Sequence, residues 1–240
     1  MVASLDEEKK PEVTSNDTEP LPAPLKGAVI YSSERISYTA EERRVIRKID
    51  MNILPFMLIA YMLQFLDKQA LSNSTIMGII QDLELYGTKY SWAVSMFYFG
   101  YLLASYPVLM MLVKLPLGKS LATVFIVWAI ILGCHAATKN FAGLMVARFF
   151  LGVAEASISP GFSLITSLWY RTSEQPLRHG LWFASNSASG IFASIMAWGI
   201  YHIHDALKPW QWLFIIMALA TYIRLGPDAS LALARSPRDG

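Results

Sequence analysis

The sequence has one cysteine, Cys134, set in an apolar run, so no internal disulfide framework exists and nothing beside it has metal-ligand spacing. Charge is also scarce: only 16% of the 240 residues are Asp, Glu, Lys or Arg, and they sum to a formal net charge of +2. So small a surplus, with no basic stripe, argues against a nucleic-acid partner. No nucleophile elbow, phosphate-binding glycine loop or His-Glu-x-x-His run occurs, which removes support for a hydrolase, an ATP-driven pump or a metalloprotease. No enzyme and no cofactor are expected. His202, His204 and Asp205 have a superficial likeness to metal ligands, but they lie at a helix end and spacing alone is a weak signal. No metal is expected there.

What is abundant is apolar sequence, 54% of the chain, and the few charges are crowded between long runs of it. Crossing the hydrocarbon layer takes about 20 mostly apolar residues. Runs of that kind are expected at about 52–71, 90–112, 120–137, 141–169, 180–202 and 210–225. A soluble helical bundle would need polar faces at helical spacing, and Ala122 to Gly133 (ATVFIVWAIILG) has none. The expected class is an all-α membrane protein with six transmembrane helices in a domain over 49–225.

Residues 1–48 are rich in Glu, Lys, Pro, Ser and Thr, too polar to offset the entropy of ordering, and are expected to form a disordered tail. Residues 226–240 are expected as a short polar tail. The start MVASLDEEKKPE carries no secretory signal, so the first span is expected to direct insertion. Lys and Arg favour cytoplasmic loops. Arg43, Arg44, Arg47 and Lys48 precede the first span, Lys114 and Lys119 bracket the second loop, and Arg171 and Arg178 occupy the fourth. Opposite loops hold only Lys89, Lys139 and Lys208, partly balanced by acids, so both termini are expected to be cytoplasmic. Asn16 and Asn73 match the glycosylation pattern, yet one is on the expected cytoplasmic side and the other abuts a span.

Ionisable groups inside a bilayer are costly and usually face a cavity or a partner. Asp67 and Lys68 in the first span, and Arg148 and Glu155 in the fourth, are the candidates. Arg148, Gly152, Glu155 and Ser159 follow at steps of four, three and four, one polar stripe on a helix. Functionally, Arg148 would meet an anionic group and Glu155 would exchange a proton or balance the arginine; structurally, the pair would only hold helices together. Neighbours on a helix point about 100° apart, so Asp67 is expected inward and Lys68 toward the outer surface. The fifth span, GLWFASNSASGIFASIMAWG, has the small residues of closely packed helices, with Asn186 within reach of a substrate. Tyr98 and Tyr101 are expected to pack, and Pro107 and Pro160 to bend their helices.

Several stretches in order, RKIDMNILPFMLIAYMLQFLDKQALSNS (47–74), WAVSMFYFGYLLASYP (92–107), KLPLGKSLATVFIVWAI (114–130), ARFFLGVAEASISPGFSLITSLWYRTSEQPLR (147–178) and KPWQWLFII (208–216), carry a resemblance. On them the chain resembles the fungal anion:cation symporter branch of the major facilitator superfamily, which includes allantoate, nicotinate and pantothenate permeases. The likeness covers about 43–220 and only the N-terminal half of such a carrier. It implies two inverted three-helix repeats and proton-coupled uptake of a small organic anion by alternating access, with a second six-helix half completing the cavity. Arg148 and Gly152 resemble the family's fourth-span pair, and Glu155 and Pro160-Gly161 the elements that follow it. Lys114, Gly118 and Lys119 occupy the family's gating loop, which here lacks the usual aspartate. The implied partners are the lipid bilayer, a small organic anion and a proton, with self-association through the face that would meet the missing half; the implied site is the plasma membrane. A truncated, non-transporting product and a membrane nutrient sensor are the competing readings.

Overall fold

A computed structural model of the protein describes residues 39–202 and 207–233, with side chains given for residue 39, 41–202 and 207–225. Most of the expected tail, together with Asn16, His204 and Asp205, lies outside the described residues.

Helix α1 (Ala40–Ile76) starts inside the stretch expected to be disordered to residue 48. The backbone N–H and the hydroxyl of Thr39 both donate to Glu42, at 3.1 and 2.8 Å, which satisfies groups a bare helix start leaves open. The helix has 37 residues, about 55 Å at 1.5 Å each, well beyond the ~30 Å hydrocarbon layer. A short α2 (Ile79–Asp82) leads to α3 (Lys89–Lys114) and, after a two-residue link, α4 (Leu117–Ala136).

The expected fourth span is two helices, α5 (Phe141–Glu155) and α6 (Ile158–Trp169). Asn140 caps α5 by accepting from the Gly143 N–H at 2.8 Å. The break at Ala156–Ser157 follows from Pro160, whose ring excludes the carbonyl four residues back, that of Ala156. The stripe expected over 148–159 therefore ends at Glu155, and Ser159 turns with α6. By contrast α1 runs through Pro55 and α3 through Pro107 without interruption.

The expected fifth and sixth spans are the helices α7 (Gln175–Tyr201) and α8 (Pro209–Leu233), the latter continuing past the tail boundary expected at 226. Among the described residues four helical segments are long and apolar enough to cross a membrane: α1, α3, α4 and the α5–α6 pair. The described residues form an all-helical assembly with these four apolar spans.

The three principal packing partnerships are α1 with α7, α3 with α5, and α4 with α8, so each helix of the first three meets one from the second three. The core includes Phe125, Trp128, Phe162, Trp210 and Phe214. Large apolar side chains are also exposed, such as Leu102, Leu103 and Tyr106 on α3 and Ile191, Ile195 and Trp198 on α7, as lipid-facing or partner-facing surfaces require.

On α7 the small residues Ser189 and Ala193 are buried and the helix packs on α1, as expected, while backbone-to-backbone contact is made by α3 and α5. A Cβ on Gly152 would sit 2.0 Å from the Phe97 carbonyl oxygen, and one on Gly100 would sit 2.2 Å from that of Phe149, so α3 and α5 touch backbone to backbone. On α7, Gly180, Gly190 and Gly199 face open space. The tight packing expected of that small-residue helix is not formed at these positions.

Candidate functional site

On α1, residues 64, 67, 68 and 71 fall within one arc of the helix. Gln64, Asp67 and Leu71 are buried, and Lys68 keeps 33% of its side chain exposed. On α5, Arg148 and Glu155 are two turns apart and buried to 3% and 0% exposure. The packing of these helices gathers four ionisable groups whose formal charges cancel: Asp67 and Glu155 against Lys68 and Arg148.

Within the cluster, Lys68 Nζ stands 3.2 Å from Glu155 Oε2. This corrects the expectation that Lys68 reaches the outer surface. The crevice beside α1 is wide enough to take both neighbours: Asp67 goes deep and Lys68 bends back to a buried carboxylate. Asp67 is surrounded by Glu155, Trp128, Arg148 and Lys68; the Trp128 indole N–H is its neighbouring donor, and neither cation hydrogen-bonds it. Arg148 has Nε and Nη2 unpaired, with its guanidinium carbon 5.8 Å from the centre of the Phe214 ring. Unpaired polar atoms at this depth are expensive and are a mark of sites that bind something.

Beside the cluster is a cavity of about 150 Å³, lined among others by Lys68, Arg148, Tyr90, Tyr98, Phe97 and Ser72. Both cations reach it, while Asp67 and Glu155 stay out of its lining. Two cations with phenol and hydroxyl donors form a wall suited to an anion, and the Phe97 ring supplies an apolar side while lying 5.6 Å under Lys68 Nζ. Tyr98, expected as a packing residue, lines the cavity and is 60% exposed.

Other expected residues stand apart. Asn186 on α7 is half-buried with Oδ1 unpaired, and it does not line the cavity. Lys114 and Lys119 are exposed and Gly118 buried at the α3–α4 link. That link is about 24 Å along α3 from Tyr98. His135 was not singled out by the sequence. Fully buried, it stacks on Phe214 at 5.1 Å and 24°, and so backs the ring that faces Arg148. Its Nδ1 is 2.8 Å from the Ile131 carbonyl, which can only accept, so Nδ1 carries the proton. Nothing local in the sequence marks it, because its partners come from α5 and α8.

Ion pairs close both ends of the assembly. At one end Glu42 meets Arg171 at 2.7 Å and Asp50 meets Arg178 at 3.0 Å, joining α1 to the α6–α7 link and α7. Burial alone would lower the Arg178 pKa, but the hydrogen bond and charge of Asp50 outweigh it and hold the guanidinium above its ordinary value. Tyr170, 4.6 Å beneath that guanidinium, is raised by burial and by Asp50. At the other end Asp82 takes Lys208 and the Trp210 indole N–H, the latter at 2.7 Å.

Residues 57–225 match the family model described as Major Facilitator Superfamily. The chain belongs to that superfamily. It is an integral membrane protein, and its relatives bear out the resemblance to fungal permeases. It is 39% identical over 191 residues to a transporter of Schizosaccharomyces pombe, covering 79% of this chain and 37% of that protein. It is 37% identical over 195 residues to the allantoate permease of Saccharomyces cerevisiae, covering 79% and 36%. The thiamine pathway transporter of the same yeast is 37% identical over 196 residues, covering 80% and 37%. This superfamily chain thus spans little more than a third of the length of these relatives. Among solved structures, a bacterial homolog of the human lysosomal transporter Spinster, inward-facing and unoccupied, superposes with a TM-score of 0.64 at 16% identity, covering 82% of this chain and 43% of that one. The fold is therefore shared with about two fifths of a known transporter.

Proposed function

We propose that the chain forms the N-terminal, six-helix half of a carrier that moves a small carboxylate anion together with a proton by alternating access. The observation that carries this reading is the neutral four-charge cluster beside a cavity reached only by its two cations. A proton on Asp67 or Glu155 leaves the cluster with one surplus positive charge, and a bound carboxylate restores neutrality. Either ligand alone would leave net charge in a low-dielectric site, so the two favour each other's binding. Protonating Glu155 also weakens its hold on Lys68, freeing that ammonium for the anion.

In this reading Arg148 and Lys68 hold the carboxylate, Asp67 and Glu155 take the proton, and Asn186 contributes from α7 once the other half closes the cavity. Lys114, Gly118 and Lys119 form a gating loop at the cytoplasmic side, with the N-terminus cytoplasmic and the plasma membrane as the place of action. The open α7 face would meet the second half or a second copy of the chain.

The test is direct binding. With allantoate and other small carboxylates as probes, the purified chain binds more tightly as pH falls and takes up about one proton per anion, read by calorimetry in buffers of different ionisation enthalpy. Arg148→Gln abolishes binding, and Glu155→Gln keeps it while removing most of its pH dependence. Anion binding without proton uptake would overturn the coupling, and preference for neutral or cationic solutes would overturn the substrate class. Binding with full proton linkage but no uptake in vesicles by any longer form would favour the sensor reading.

A further inference from the structure

The N-terminal turns of α1 extend beyond the apolar stretch expected to start near residue 52, and their charges are divided between two faces. At 100° per residue, Glu42, Ile46, Ile49 and Asp50 share one side and are half-buried against the protein. Both acids on that side are engaged: Glu42 with Thr39 and Arg171, Asp50 with Arg178. On the opposite arc, about 140° wide, Arg43, Arg44, Arg47 and Lys48 are all exposed, and none has a side-chain partner among the described residues. Met51, 69% exposed, lies within that arc one turn nearer the span. Glu41, at its edge, is the one exposed acid of these turns.

We infer that this arc is a binding surface for the anionic phospholipid headgroups of the leaflet that α1 enters. Arg171 and Arg178 engage Glu42 and Asp50, so the ion pairs that fasten α1 to the α6–α7 link and α7 also leave these four cations without an acidic partner among the described residues. Because the helix runs on directly into its membrane span, these cations stand at headgroup depth, where lipid phosphates are unavoidable neighbours. Arginine forks match phosphate oxygens, and exposed Met51 suits the apolar boundary just below. A soluble acidic partner would need no such apolar step.

Native mass spectrometry of the chain in mild detergent tests this, with phosphatidylserine and phosphatidylcholine as probes. Phosphatidylserine should be retained over phosphatidylcholine, and the variant R43Q/R44Q/R47Q/K48Q should lose about tenfold or more of that preference. R43K/R44K/R47K, which preserves charge, should keep it, which separates loss of charge from loss of fold. K139Q, which removes an exposed cation from a loop on the opposite side, should leave it within about twofold. Three results would overturn the inference: undiminished preference in the four-glutamine variant, equal loss in K139Q, or displacement of the lipid by millimolar inorganic phosphate, which would mark a site for free anions. The assay is blind to topology and to transport, so its failure would leave the carrier reading standing.

Discussion

At the scale of single residues, position in the bilayer gives each polar contact its weight. The buried Trp210 indole donates to the half-buried Asp82 over 2.7 Å, and Lys208 reaches the other carboxylate oxygen. Trp210→Phe should cost about 1.5–3 kcal/mol, the range for hydrogen bonds to charged groups, seen as a lower midpoint of thermal aggregation in detergent. Glu42 behaves differently because it lies at the helix start, partly open to solvent. Its pKa is lowered from the ordinary 4.5 by the Thr39 side-chain and backbone hydrogen bonds first and by Arg171 after them. A depressed carboxylate pKa contributes stability that is present above the unfolded value and is lost as pH falls through the folded one. A spin label at position 40 should therefore stay ordered at neutral pH and gain mobility below pH 4.5, whereas in Glu42→Ala, which removes the acceptor, it should be mobile throughout. Label mobility that does not change with pH in the native sequence would show that the Glu42 contacts do not hold the helix start.

At the scale of helices, the glycines separate real crossings from open faces. Gly100 and Gly152 lie where α3 and α5 meet backbone to backbone, with Cβ positions 2.2 and 2.0 Å from carbonyl oxygens. Rigid backbone cannot yield as a side chain can, so Gly100→Ala or Gly152→Ala should cost about 3 kcal/mol or more, at the upper end for overpacking. Gly190→Ala and Gly199→Ala meet open space and should be neutral or stabilising by up to about 1 kcal/mol through helix propensity. Yield of monodisperse protein and its thermal midpoint rank the four; equal damage at Gly190 would mean that α7 is covered in the assembled protein. The resemblance had placed Gly152 beside Arg148 as a paired motif. The packing supplies a physical reason for that glycine: it admits α3, which brings Tyr90 and Tyr98 to the same cavity as Arg148.

At the scale of the whole molecule, the first three helices and the second three interlock pairwise, and the charged cluster lies between α1 of one set and α5 of the other. The exposed apolar residues of α3 and α7 then fall to lipid or to a further six-helix unit. A cysteine placed at Ile195, with the exposed native Cys134 replaced by serine, should form disulfide dimers in detergent if self-association uses the α7 face. Disulfide dimers formed through Cys134 in the native sequence, with none in the Ile195 variant, would direct attention to the α4 face.

The sequence by itself determined what depends on composition and short-range periodicity: that the chain is a membrane protein, which stretches are apolar helices, and that Asp67, Arg148 and Glu155 are buried; it did not give the early start of α1 or the division of the fourth span into α5 and α6. An apolar run of span length and a charge within it have few physical outcomes in a bilayer. The tertiary structure alone decided which groups meet. Lys68 was set apart from the site because two adjacent residues diverge by about 100° on a helix, and only the tertiary structure, which brings Lys68 Nζ within 3.2 Å of Glu155 on α5, shows that both turn inward. His135, Phe214 and Trp128 gather around Arg148 and Asp67 from α4 and α8, at sequence distances no local pattern spans. The bareness of the basic arc on α1 likewise depends on Arg171 and Arg178, more than a hundred residues away, engaging its acids. Burial is written in each residue's own neighbourhood, whereas the identity of a partner is a property of how the helices come together.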